Sequence, residues 1–150
     1  MIQFEGNRNF PLPLPAAFQK LSDAAFLVGC LPDAKIESAS PDRAVWKLKP
    51  KLSFMTGSLD AVMDRTRLEP EQCVSFQVVS KAIGASATVL ATLHFQVSES
   101  STDVHWTGEL VAVTGLLKMV PKGLLQGTAE KVIEDTWQAV EAKLTSSPTP

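Results

Sequence analysis

The chain has 150 residues, of which 45% are hydrophobic and 20% are charged, and its formal net charge is −2. This length and composition are typical of a single globular domain that buries its own hydrophobic core. The near-neutral balance disfavours a nucleic-acid-binding role, because such proteins usually carry a clustered basic face. The first ten residues lack the basic and apolar segments of a signal peptide, and no apolar run approaches membrane-spanning length, so we expect a cytoplasmic protein.

The N-terminal part of the chain predicts one strand followed by two short helices. Residues 2–9 alternate in the two-residue period of a strand. The proline-rich run at 10–15 can neither continue a strand nor lie inside a helix, so it predicts a connection. A first helix is expected over 16–21 and a second over 24–29, the second with one of two N-cap side chains, Ser22 or Asp23.

Six further strands are predicted, because no helical period interrupts the sequence between the short helices and the C-terminal run. Ser-Pro-Asp at 40–42 and Glu-Pro-Glu at 69–71 are typical turn sequences. Neighbouring strands with such short connections must pair antiparallel. The strands are expected at 33–40, 43–50, 52–68, 73–80, 86–98 and 102–114.

The last predicted element is a long amphipathic helix over 121–144. Pro121 suits its first turn, and 116–120 would form a preceding turn or short bent segment. A curved antiparallel sheet with one apolar face needs a cover, and this helix is the only element long enough to provide it. The predicted fold class is therefore α+β, with two short helices after strand one and a C-terminal helix packed across a seven-stranded sheet. The apolar residues of this helix recur at three-and-four spacing, at Leu124, Leu125, Ala129, Val132, Ile133, Trp137, Val140 and Leu144.

The sequence contains no residue pattern typical of catalysis, of a metal centre or of a cofactor site. His94 and His105 are expected on the outer face of neighbouring strands, and no third ligand at metal spacing accompanies them. We expect Cys30 and Cys73 to be reduced and buried. The glycines form no phosphate-binding pattern.

Small residues on the predicted inner face suggest a hollow. Gly57, Ala61, Ala91, Gly108 and Ala112 would lie beside Gly127 and Ala129 of the helix, and an apolar hollow binds apolar ligands. Arg8 is in phase with Phe4 and Gly6, so we expect it at the rim, where it could hold a polar head group. The alternative is that large side chains fill the space, namely Trp46, Met55, Met63, Phe76, Phe95, Trp106, Met119 and Trp137.

The order of elements resembles the START-related helix-grip superfamily (SRPBCC). The resemblance rests on that order together with Cys-Leu-Pro-Asp-Ala-Lys at 30–35, Thr-Asp-Val-His-Trp at 102–106 and Gly115 before the last helix. Within the superfamily, the chain is most similar to the family of the carbon monoxide dehydrogenase G subunit, whose members carry Cys-x-Pro-Gly at 30–33. Asp33 departs from that pattern.

The resemblance covers a single helix-grip domain at 1–144, followed by a flexible polar tail at 145–150. Family members that anchor to membranes carry an apolar C-terminal extension, so we expect membrane contact that is at most peripheral. The resemblance implies non-enzymatic binding or carriage of a lipid- or quinone-like molecule between the sheet and the long helix. Pro121, Gly123 and Gly127 cluster at one end of an otherwise strong helix, so we expect 119–125 to act as a movable gate. The expected cavity lining is Trp46, Met55, Leu59, Met63, Phe76, Ala91, Phe95, Trp106, Gly108, Leu110, Met119, Leu124, Gly127 and Trp137.

Two other functions within the superfamily remain open. An accessory subunit that recruits or matures a molybdenum hydroxylase, such as carbon monoxide dehydrogenase, would expose an apolar patch near Met119. An enzyme similar to polyketide cyclases or dehydratases would need an inward-facing acid, base or arginine. The sequence offers only Arg8 and Glu109 for that purpose.

Overall fold

The computed structural model describes residues 2–31, 34–49, 58–82 and 84–145. The predicted order of elements is confirmed in these residues. Met55, Gly57, Pro32, Asp33 and the tail at 146–150 lie outside the described residues. The elements are β1 (Ile2–Phe10), α1 (Leu14–Leu21), α2 (Ala24–Gly29), β2 (Lys35–Ser40), β3 (Arg43–Leu48), β4 (Leu59–Glu69), β5 (Cys73–Ala82), β6 (Ala85–Ser98), β7 (Ser101–Gly115), a 3₁₀ turn (Leu116–Met119) and α3 (Lys122–Thr145).

The strands form one antiparallel sheet in the order β1-β7-β6-β5-β4-β3-β2. This is a meander in which the first strand pairs with the last. Register shifts interrupt β2, β4 and β7, and such bulges bend a strand and increase its twist. The sheet is therefore curved, and we call the side that receives the three helices its concave face.

The bulge opposite Thr88 and Val89 corrects one prediction. Leu110 pairs with Val89, but Ala112 pairs with Thr88, so β7 carries one extra residue at Val111. The alternation of side chains changes at this point, and Ala112 is exposed. Ala112 therefore does not contribute to the concave face. The unbroken alternation of the sequence predicts that it does, and that prediction is wrong.

The short helices close one end of the concave face. Asp23 is the N-cap of α2, and its carboxylate accepts hydrogen bonds from the amides of Ala25 and Phe26. Such a cap is worth about 1 kcal/mol. Phe18 of α1 packs edge-on against Phe95 of β6, with ring centroids 4.9 Å apart, and α2 packs on β2, β3 and β4. The core beneath these helices is apolar, and its largest fully buried side chains include Phe10, Leu21, Val28, Val74, Val104 and Val140.

Only the C-terminal half of α3 packs as the sequence predicts. Trp137, Val140 and Leu144 are at most 9% exposed, whereas Leu124 is 47% and Val132 is 52% exposed. The N-terminal half thus leaves part of its apolar face uncovered by the described residues. In the part of the chain that the structure describes, no helix has the length and apolar character needed to span a membrane.

Candidate ligand-binding site

Gly108 lies on the concave face, and we call the space over it the hollow. This glycine of β7 pairs with Phe4 of β1 and Ala91 of β6. It is buried, yet a Cβ atom added to it would meet none of the described residues within 4 Å beyond its chain neighbours. Protein interiors are normally close-packed, so a buried glycine with none of the described side chains over it is the feature on which a cavity can be proposed.

Gly6 provides the contrast on the neighbouring strand. A Cβ atom there would lie 2.8 Å from the nearest ring carbon of Trp106. The indole of Trp106 packs in turn near Trp137 of α3, with ring centroids 6.1 Å apart. The space over Gly6 is therefore filled by an aromatic side chain, and the hollow is local to Gly108.

An open cleft of about 320 Å³ runs beside this hollow, between β1 and α3. Its volume is at the lower end of the range of small-molecule sites. Phe4, the register neighbour of Gly108, lines the cleft together with Trp106 and Ile133. The polar border includes Glu5 and Glu130. Those carboxylates favour neutral or cationic molecules over anionic ones at this opening.

A further apolar area on the concave face is only partly covered. Leu59 and Met63 of β4 and Val78 of β5 are half-buried and pack against the core cluster. Leu124 and Val132, on the N-terminal half of α3, are exposed as well. The concave face thus continues as an apolar surface from the hollow towards β4.

The residues predicted to line a cavity fall into three groups. Gly108, Trp46, Phe76, Phe95 and Trp137 are buried, while Met119, Leu124 and Gly127 are exposed. The exposed three would line a cavity only after movement of the helix start. The half-buried members are Leu59, Met63, Ala91, Trp106 and Leu110.

Arg8 connects β1 to α3. Its guanidinium donates hydrogen bonds to Glu134 at 2.8 Å and to Glu141 at 2.9 Å, and it lies 5.9 Å from the ring centroid of Trp137. The side chain is 19% exposed. Arg8 therefore fastens the long helix, and the head-group role expected from sequence stays a prediction.

Sequence reasoning missed an unusual feature of Trp46. Among the residues that the structure describes, its indole Nε1 is the only buried side-chain nitrogen or oxygen without a hydrogen-bond partner. Leaving such a donor unsatisfied costs about 1–3 kcal/mol. A tryptophan in a strand pattern indicates a core position, and nothing in the local sequence shows whether its N–H finds an acceptor.

The thiols are in environments that suppress their reactivity. Burial raises the pKa of Cys30 and of Cys73 above the ordinary value of 9.0, and both are unpaired thiols inside the fold. The Cys30 thiol donates to the carbonyl of Phe26 at 3.3 Å. Because the thiolate is the nucleophilic form, these cysteines are poor candidates for chemistry.

The histidines lie on the outer face of the sheet. His94 and His105 are register neighbours with ring centroids 6.5 Å apart, and His105 contacts the side-chain oxygen of Asn7 at 3.0 Å. The described residues include no group of three or more histidine, cysteine, aspartate or glutamate side chains placed to hold a metal ion.

The 3₁₀ turn presents an apolar surface to solvent. Leu116 is 63% and Met119 is 81% exposed, whereas Leu117 is buried. The turn follows Gly115, whose φ of 63° is in the left-handed region. A Cβ atom there would lie 1.9 Å from the carbonyl oxygen of Gly84, so this position requires glycine. We call Leu116 and Met119 the exposed apolar pair.

Comparisons with known proteins agree with this architecture. A conserved protein from Geobacillus kaustophilus shares 18% identity over 97% of each chain, with a TM-score of 0.83. Protein Ms6760 from Mycobacterium smegmatis shares 15% identity over 96% of this chain and 91% of its own, with a TM-score of 0.67. CV1439 from Chromobacterium violaceum shares 11% over 95% of this chain and 96% of its own, with a TM-score of 0.69.

Such low identities show the fold alone, and a comparison with curated protein sequences found no match. The family comparison is more informative. Residues 10–145 match the family model of CoxG, the G subunit of carbon monoxide dehydrogenase. That match spans most of the chain, and the helix-grip architecture described above agrees with it. The chain therefore belongs to the CoxG family, named after the G subunit of carbon monoxide dehydrogenase.

Proposed function

We propose that this protein binds and carries a small hydrophobic molecule, lipid-like or quinone-like, between the concave face and α3. The observation that carries the proposal is the buried Gly108, which faces empty space among the described residues where a packed core would have side chains. The cleft beside Phe4 supplies a route from solvent. A cytoplasmic location, expected from the sequence, belongs to the same proposal.

The gate at 119–125 also belongs to the proposal. Leu124 and Val132 are exposed on the N-terminal half of α3, and Leu59 and Met63 are half-buried on the concave face. Covering the exposed part of one such side chain is worth about 1 kcal/mol, roughly half of the value for burial from full exposure. A ligand between the N-terminal half of α3 and the concave face would bury apolar side chains of both, and both burials would contribute to its binding energy. The N-terminal half of α3 would then close over the ligand.

Native mass spectrometry of protein purified without detergent tests this function. We expect the wild-type chain to carry one small apolar molecule, and Gly108→Val to carry much less because its side chain occupies the hollow. Ala112→Val is the matched control, since it adds methyl groups to an exposed position of the same strand. If delipidated wild-type protein takes up neither lipids nor prenylated quinones, the proposed function is wrong.

A second candidate function is that of an accessory subunit for a molybdenum hydroxylase. Its specific support is the exposed apolar pair, because an accessory subunit is expected to have an apolar docking surface near Met119. The family name denotes a subunit of carbon monoxide dehydrogenase. Lys118 and Lys122 border the pair, and the sequence from 110 to 129 contains no carboxylate, so the fitting partner is an acidic apolar surface of such an enzyme.

Co-purification with a molybdenum hydroxylase from the same organism tests the second candidate. We expect the double variant Leu116→Glu, Met119→Glu to abolish the complex. Val97→Glu is the control, because Val97 is 57% exposed and belongs to β6 rather than to the turn. Binding to lipid vesicles without binding to the enzyme would assign this surface to a membrane and would remove the candidate.

The two side chains available to the enzyme alternative are engaged elsewhere. Arg8 is held by two glutamates of α3. Glu109 accepts a hydrogen bond from Gln3 at 3.3 Å. It follows Gly108 in β7, and because successive side chains of a strand point to opposite faces, Glu109 faces away from the hollow. These contacts give no support to a cyclase or dehydratase.

A further inference from the structure

Trp46 holds a buried hydrogen-bond donor for which the described part of the protein supplies no acceptor. The residue is 4% exposed. It lies in β3 directly opposite Ala61 of β4, on the concave face. Buried indole N–H groups usually find a partner, and an unpaired one in a native structure calls for an explanation. The indole nitrogen is closed to solvent in this structure, so a bound molecule with an acceptor atom would supply the missing partner by moving the surrounding side chains apart.

A trapped water explains the unpaired donor less well. A buried water typically makes two to four hydrogen bonds. The cross-strand neighbours of Trp46 are Ile36 and Ala61, whose side chains are apolar. In the register, the nearest hydroxyl on this face is that of Ser80, two strands away. Among the described residues, a water beside the indole would find few polar side chains there, whereas an apolar ligand with one acceptor would match both the donor and its apolar neighbours.

The charges on the concave face indicate that this acceptor is neutral. Arg8 is occupied by its two glutamates, and Arg65 donates to the carbonyl oxygen of Ser22 at 2.9 Å. The cleft is bordered by Glu5 and Glu130. An anionic ligand such as a fatty-acid carboxylate would meet repulsion at the cleft, and beside Trp46, between the apolar Ile36 and Ala61, it would meet a large desolvation cost. An indole N–H only donates, so a ketone, ester or quinone carbonyl fits.

We propose that the indole N–H of Trp46 is the polar anchor of the site and donates a hydrogen bond to a neutral carbonyl oxygen of the apolar ligand. This inference rests on the proposed function, and it adds the chemical class that the site selects. Four strand spacings separate β3 from β7, which is roughly 19 Å along the sheet. A ligand held at Trp46 that also fills the hollow at Gly108 is therefore elongated.

A competition between two matched probes tests the anchor. Delipidated protein is equilibrated with equal amounts of heptadecan-2-one and heptadecane, separated from free probe and extracted, and both compounds are quantified by gas chromatography. The probes share chain length and differ in one carbonyl. Trp46→Phe keeps an aromatic ring and removes the N–H. We expect the ketone-to-alkane ratio in the variant to fall about tenfold below the wild-type ratio, as for one net hydrogen bond.

The possible results separate the anchor from the function. Equal ratios in the two proteins, with both probes bound, would overturn the anchor and leave the carrier function intact. Uptake of neither probe by wild-type protein would overturn both. The hydrocarbon is the internal control for any general loss of binding capacity in the variant.

A second measurement uses wild-type protein only and so avoids any folding defect of the variant. With ¹⁵N-labelled tryptophan, the indole proton of Trp46 should move downfield when the ketone binds, because it enters a hydrogen bond. Heptadecane should leave it near its original position. An indole resonance that responds equally to both probes would contradict the anchor.

Discussion

Adding a side chain at Gly108 should make the protein more stable while weakening ligand uptake. Gly108→Val places three carbon atoms in a buried space where a Cβ atom meets none of the described residues within 4 Å beyond its chain neighbours. Burial of each methyl-sized group is worth about 0.8 kcal/mol. Loss of glycine freedom in the unfolded chain adds about 0.4–1 kcal/mol. After subtraction of the entropic cost of fixing the new side-chain rotamer, we expect the free energy of unfolding of the ligand-free variant to rise by about 1–3 kcal/mol.

Gly6→Val is the matched comparison, because both glycines lie on the concave face in paired strands. Its Cβ atom would meet the Trp106 ring at 2.8 Å, and overpacking of this kind costs about 1–3 kcal/mol. The unfolded-state contribution is common to both variants, so their difference in stability depends on the space above each glycine. We expect Gly108→Val to be more stable than Gly6→Val by about 2–5 kcal/mol.

Urea and thermal denaturation of delipidated protein measure these changes. The expected gain for Gly108→Val corresponds to a rise in melting temperature of roughly 3–10 °C for a chain of this size. The alternative, in which large side chains fill the interior, predicts that both variants are destabilised. A loss of stability in Gly108→Val comparable to that in Gly6→Val would therefore refute the cavity.

Two further predictions concern the attachment of α3 and the buried thiols. Arg8→Met should lower the free energy of unfolding by about 1–2 kcal/mol, because it removes two partly exposed ion pairs and a cation–π contact. Arg8→Lys should have a stability between those of wild type and Arg8→Met. Equal stability of wild type and Arg8→Met, measured by urea denaturation at low salt, would contradict the role of Arg8 in attaching α3. Because burial raises the pKa of Cys30 and Cys73 above 9.0, the unfolded chain releases these protons first, and stability should fall as the pH rises above 9. We expect the free energy of unfolding, measured by urea denaturation, to fall less between about pH 8 and pH 10 in the double variant Cys30→Ala, Cys73→Ala than in wild type. An equal fall in both proteins would contradict the raised pKa of the two thiols.

The order and type of the elements could be predicted from sequence because their signals are local. Short connections at 40–42 and 69–71 impose antiparallel pairing, and the Asp23 cap marks the start of α2. The bulge that exposes Ala112 could not be predicted. It depends on how β6 and β7 pair, and the alternating sequence continues through it without a break.

The two halves of α3 show a second limit. The same apolar spacing includes the exposed Leu124 and the buried Val140. The spacing predicts which face of a helix is apolar, but the length of helix that is covered depends on the width and curvature of the sheet beneath it. Those properties result from contacts between strands that are distant in sequence.

The details of the candidate site depend on contacts between distant parts of the chain. Arg8 lies 133 positions before Glu141, so the sequence predicts a charged residue at the rim but not its partners. Strand alternation places Ala91 and Gly108 on one face, where the structure pairs them, but only three-dimensional packing shows which small residue has none of the described side chains over it. The unpaired donor of Trp46 likewise becomes visible only in the folded chain.

A crystal structure of the protein loaded with heptadecan-2-one would test the central claim most directly. We predict density for one elongated molecule against Gly108 and Ala91, with its carbonyl oxygen within hydrogen-bond distance of the indole nitrogen of Trp46. The N-terminal half of α3 should then cover the ligand and bury Leu124. A fully packed interior, with side chains in the space beside Gly108 and no density for the ketone, would contradict the account.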